Sequence, residues 1–163
     1  MRMMAAASSG ILASMLGISA ASATGQRDLA EVRQATVQYH DVNAAIAAGY
    51  VPVDECVPGM GYHYVNFGQF GRMDPLVPDA LTYAANAKGH LRLVAAEWFM
   101  VDADQNLATD SDRPSMFGKE FDGPMLGHAP GMPIHYDLHA YLWKGNPDGV
   151  LATFNPNVHC PEP

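Results

Sequence analysis

In the run Ile134-His-Tyr-Asp-Leu-His-Ala-Tyr-Leu-Trp143, two histidines flank an aspartate at alternate positions. On a strand, side chains at i, i+2 and i+4 share a face. His135, Asp137, His139 and Tyr141 then project together, opposite an apolar ladder of Ile134, Tyr136, Leu138, Ala140 and Leu142. A related corner lies earlier in the chain. Pro58-Gly59-Met60-Gly61-Tyr62-His63-Tyr64 matches Pro130-Gly131-Met132-Pro133-Ile134-His135-Tyr136 at five of seven positions. Each copy reads as a Pro-Gly turn entering a strand, with a histidine near its start. The third element is Glu97, whose same-face neighbours Leu91, Leu93, Ala95, Phe99 and Val101 are all apolar. An ionised carboxylate on such a face is costly unless it is paired, hydrogen-bonded or metal-bound.

Neutral imidazoles with a carboxylate suit a divalent transition metal (Zn, Cu or Fe), and three protein ligands leave a position open for catalysis. The expected metal ligands are His63, Glu97, His135 and His139. Asp137 stands as a substitute ligand or as the acceptor that holds an imidazole from behind. Glu97 and Asp137 are the candidate catalytic carboxylates; for Glu97, burial in an apolar strand would tune the group toward acid–base work. Met60 and Met132, each three residues before a histidine, offer soft ligands for copper or serve as gap-fillers. The spacing is not that of HExxH. The competing reading makes the histidine face a solvent-facing ladder and pairs Glu97 with Arg72, Arg92 or Arg113. That reading leaves a non-catalytic interaction or ligand-binding domain with no metal. The acidic stretch from Asp102 to Asp112 lacks the glycine and glutamate of an EF-hand loop, having Leu107 and Arg113 at those positions, and reads as a solvated acidic turn, with a calcium site of another kind as the alternative. No Ser-His-Asp or Cys-His nucleophile pattern is visible.

The elements that must position these groups follow from periodicity. Residues 27–48 carry Leu29, Val32, Thr36, Tyr39, Val42 and Ile46 at steps of three and four, which predicts an amphipathic helix ended by Gly49. Strand character marks 61–67. A hairpin is expected from Ala80–Ala84 through a turn at 86–89 into His90–Val101, with Leu91–Val101 a central strand covered on both faces. Residues 134–143 form the last patterned strand. Residues 102–133 show little periodicity and read as a long ordered loop over the site. The expectation is an α+β domain, one N-terminal helix packed on a mostly antiparallel sheet, with a small cupin-like β-barrel as the alternative.

The first 23 residues combine Arg2, an apolar Ala/Leu/Ile/Met run and Ala21-Ser22-Ala23, the three regions of an export signal cleaved near Ala23. The apolar part is too short to span a bilayer, and no later run is long enough. Residues 24–163 are then one exported domain, periplasmic or extracellular. Cys56 and Cys160 are the only cysteines, and in an exported chain they favour one disulfide over a free thiolate or a metal ligand. Nine basic against seventeen acidic residues give a formal charge of −8, which argues against nucleic acid as a partner. A small-molecule partner fits better. Nothing in the pattern specifies an oligomeric state.

The segments PGMGYHYVN, VDADQNLATDSDRPSMFG and PGMPIHYDLHAYLWKGNPDG together resemble a family of small exported bacterial proteins with no assigned activity. The likeness covers nearly all of the chain after residue 23, including both cysteines. It implies export and one compact domain, and carries no catalytic roles.

Overall fold

A computed structural model describes residues 20–53, 55–128 and 131–161. The expected export segment therefore lies outside the described residues up to position 19. The first element, α1 (Ala20–Thr36), begins within its last four positions. The helix read over 27–48 is divided. After α1 come a 3-10 turn (Val37–His40) and a short helix α2 (Val42–Ala47). Two local bonds account for the break. The Thr36 hydroxyl donates back to the Val32 carbonyl at 2.8 Å, a bond that bends helices. Asp41 then caps a new helix by accepting from the Asn43 N–H at 3.0 Å. The tighter turn shifts the helical phase, so Ala45 is buried and Ile46 is 47% exposed. Gly49 ends the segment at φ +96°.

The body is a six-stranded antiparallel sheet. Its strands are β1 (Val51–Pro52), β2 (Tyr62–Val65), β3 (Ala80–Ala85), β4 (Leu91–Val101), β7 (Asp122–Met125) and β8 (His135–Ala140). They stand in the order β1-β2-β3-β4-β8-β7. A separate pair, β5 (Ser115–Met116) and β6 (Lys119–Glu120), precedes β7. The main sheet is open, with β1 and β7 at its edges, so the cupin-like barrel is not formed. The segment 102–133 is not one loop, since it carries β5, β6 and β7. Asp-Gly-Pro-Met has no apolar alternation, and β7 forms only because β8 offers it an edge.

One sheet face packs Leu81, Tyr83, Leu93, Trp98, Tyr136 and Leu138 against Val32, Ala45, Leu29 and Val42 of the helical segment. The Tyr83 hydroxyl donates to the Tyr39 carbonyl at 2.7 Å, and Tyr50 donates to Pro78 at 2.8 Å, tying helix to sheet. The opposite face is also covered. Val65, Ala80 and Phe99 cluster with Phe70 and Met132, while Val94, Ala95, Tyr141 and Val158 form a further cluster. Cys56 and Cys160 are joined, with 5.6 Å between their Cα atoms. A disulfide belongs to an oxidising compartment. Among the described residues no helix is long and apolar enough to cross a membrane.

Candidate metal centre

The histidine ladder faces this second, covered side. His135, Asp137 and His139 are at most 1% exposed, so the ladder is not solvated. Strand β8 pairs with β4 in the register Val101↔His135, Phe99↔Asp137, Glu97↔His139. Glu97 and His139 are thus direct cross-strand neighbours. Their side chains meet, with Oε1 3.2 Å from Nε2. His63 comes from β2, two strands from β4, and its Nε2 lies 3.7 Å from Glu97 Oε2. Neighbouring strands are about 4.8 Å apart, so His63 and Glu97 must lean toward each other over β3. They can because β3 places Ala80 and Thr82 there, in register with Glu97 and His63 respectively. The ligand atoms of His63, Glu97 and His139 all lie within 4.8 Å of one another, and the three residues are buried. This group can hold a metal ion.

His135 lies outside that group. On a strand, positions i and i+4 share a face but are about 13 Å apart along the chain, so a common face is not a common site. His135 instead bonds the Pro133 carbonyl through Nδ1 at 3.1 Å and packs edge-on against Phe99 and His128. The arginines do not claim Glu97 either. Arg113 bonds Asp110 and the Phe121 carbonyl, Arg72 bonds Gln69, and Arg92 is exposed.

Met60 and Met132, from the two matching segments, line one cavity, but the segments are not equivalent. Gly59 and Gly131 share a left-handed turn, at φ +84° and +81°. At the fourth position, a Cβ on Gly61 would stand 2.3 Å from the Tyr83 carbonyl, whereas the second copy has Pro133 there. Met60, Met132, His63, Glu97, Asp137 and His128 all line a cavity of about 310 Å³, which Val53, Val57, Val65, Phe99 and Phe154 also line among the described residues. No lysine or arginine is among these described lining residues. His128 escaped the sequence reading because it sits in an unpatterned segment beside Gly127, with no periodic partner.

Burial shifts three titratable groups at and beside the centre. It pushes His139 down to about 3, with His63 beside it adding to the effect, so this imidazole is neutral and its nitrogen lone pair is available. Burial also lowers His135. Burial first, and then neighbouring Asp122, pushes the Asp137 carboxyl up. Asp137 Oδ1 is 3.9 Å from His139 Nδ1, beyond hydrogen-bond reach, and neither Asp137 oxygen makes a hydrogen bond among the described residues. The acidic stretch is occupied with itself. Asp102 accepts from the Asn106 N–H, Asp104 from Thr109, and Asp112 from the Ala103 N–H and the Tyr136 hydroxyl. Asp102 is fully buried, so the expectation of a solvated turn fails at its first residue.

No protein-family model, curated protein or solved structure matches the chain.

Proposed function

We propose that this is an exported metal-binding protein in which His63, Glu97 and His139 hold a divalent transition ion at the floor of the cavity. The carrying observation is that two imidazoles and a carboxylate from three strands bring their donor atoms within 4.8 Å of one another in a buried site. Two imidazoles and one carboxylate form a donor set for zinc or iron. Three ligands leave coordination positions free, and the cavity puts a small molecule beside them. The function supported best is therefore a metal-dependent reaction on a small molecule. The ion would act as a Lewis acid there, and Asp137, which lines the same cavity, would exchange a proton with what binds.

A second reading is copper carriage. It is favoured by Met60 and Met132, which bring two thioethers to the same cavity. Elemental analysis of the purified protein, followed by titration of metal-stripped protein with zinc, iron(II) and copper, tests both. One equivalent of zinc or iron, lost in His63→Ala and retained in Met60→Leu, supports the first reading. Copper alone, lost in Met60→Leu and Met132→Leu, supports the second. No uptake of any ion leaves the interaction domain.

A further inference from the structure

We propose that the site takes a small amphipathic molecule, its polar head at Asp137 and the His63–Glu97–His139 group and its apolar tail in an adjoining chamber. The head's anchorage to an ion rests on the metal reading above, whereas the tail's place rests on the cavity alone.

A second cavity of about 250 Å³ abuts the first and shares Val53, Val65, Phe99 and Met132 as walls. Polar groups are segregated between the two. The first chamber holds His63, Glu97, His128 and Asp137. Among the described residues the second adds only Phe67, Phe70, Gly131 and Pro133 to the shared walls, and none of these side chains is polar. Phe70 stacks on Phe99 with ring centroids 5.2 Å apart, which makes one wall a flat aromatic surface. Phe67, 66% exposed, and Val53, 37% exposed, carry the apolar lining outward to solvent. A sugar or a doubly charged metabolite would lose hydration in the second chamber and regain nothing, while a hydrocarbon chain or ring is stabilised there.

The head is constrained by Asp137. It lines the first chamber, is 1% exposed, and both its oxygens are buried without a hydrogen bond among the described residues. Buried polar atoms are normally bonded, so a ligand group that donates a hydrogen bond, a hydroxyl or an N–H, completes this carboxyl. The ligand class is therefore an apolar chain or ring ending in a donor-bearing, metal-seeking group.

The test uses two homologous series on the full mature protein, read by calorimetry. Acetohydroxamate, butanohydroxamate, hexanohydroxamate and octanohydroxamate bind the zinc-loaded protein through a chelating head that also carries an N–H. The n-alkanols of matching length probe the tail chamber with zinc present or absent. Affinity is expected to rise about four-fold per methylene in both series until the chamber is full. Val53→Trp, which narrows the passage between chambers, should flatten that slope, with zinc uptake as the check that the variant folds. Asp137→Asn should weaken every hydroxamate by a similar factor and leave the slope. Affinity independent of chain length in both series, or a slope untouched by Val53→Trp, overturns the tail. Unchanged hydroxamate binding in Asp137→Asn overturns the head. Zinc uptake with a flat series defeats this inference alone. No zinc uptake with a persisting alkanol slope defeats the metal reading and supports the tail chamber.

Discussion

Glu97 and His139 stand opposite each other in register on β4 and β8, with Oε1 3.2 Å from Nε2. The backbone ladder sets the separation of such a pair, so two of the three donors are held by adjacent inner strands of the sheet. His63 joins from β2 only because Ala80 leaves the space above β3 open.

Metal should raise the stability of the wild-type protein and not of its ligand variants. At free metal one hundred times the dissociation constant the increment is about 2.7 kcal/mol. Differential scanning fluorimetry with and without zinc should show a rise in Tm for the wild type and none for His63→Ala, Glu97→Gln or His139→Ala. His135→Gln should keep the rise. Loss of the rise in that variant would put His135 back among the ligands.

Ala80 is fully buried between Val65 and Glu97 in the cross-strand row. Ala80→Leu should overpack that gap, costing about 1–3 kcal/mol in urea unfolding, and should abolish metal uptake by forcing His63 away from Glu97. Metal uptake undiminished in a folded Ala80→Leu protein would contradict the geometry described.

The disulfide closes a separation of 104 residues. Cys56→Ser should lower stability by about 2–5 kcal/mol, and reductant should do the same to the wild type while leaving the variant unchanged. Equal unfolding midpoints with and without reductant would show that the bond contributes nothing.

Asp79 is buried and accepts from the Phe99 N–H at 2.8 Å, and burial pushes its carboxyl up from 3.8 to about 6. The folded state then holds the proton more tightly than the unfolded state, so this group's contribution to stability falls as pH rises from about 4 to about 6 and is level above that. His139 in the metal-free protein has the opposite sign. Its folded value of about 3 lies below the unfolded 6.5, so stability is lost as pH falls through that window. Asp79→Asn isolates the first effect. Its stability relative to wild type, from urea unfolding between pH 4 and 8, should climb to about pH 6 and then stay constant. A difference that does not vary with pH would sink this assignment.

Tyr83→Phe should cost about 1 kcal/mol in the same unfolding experiment, because it removes a bond to the Tyr39 carbonyl that fastens the 3-10 turn to the sheet. Proteolysis should become faster within residues 36–42 while the sheet remains protected.

Much of the sheet was legible because its signal is local. A long apolar run marked Leu91–Val101 as a strand covered on both faces, and alternation marked His135–Ala140 with its two faces; the irregularity opposite Thr82/Tyr83 then turns Leu91 and Leu93 to the side away from Glu97. The Asn86–Gly89 turn marked the hairpin between β3 and β4. The two cysteines, in a chain opening with an export-like segment, pointed to the bond now seen between Cys56 and Cys160. Glu97 stood out for the same reason, as a carboxylate amid the apolar residues of that strand.

What was not legible depended on pairing partners far apart in sequence. Asp122–Met125 has no strand pattern of its own and becomes β7 by hydrogen bonding to β8. Thr36 and Asp41 broke a helix whose periodicity read as continuous, and that shift decided which of Ala45 and Ile46 is buried. At the site, residue types and face were written in the sequence, since alternation fixes which side of a strand a side chain takes. Register was not. The offset between β4 and β8 sets Glu97 against His139 and leaves His135 beside Val101, and the smallness of Ala80 admits His63. Chemistry-bearing residues are chosen one position at a time, whereas a site exists only where long-range pairing puts their donor atoms within a few ångströms of one another.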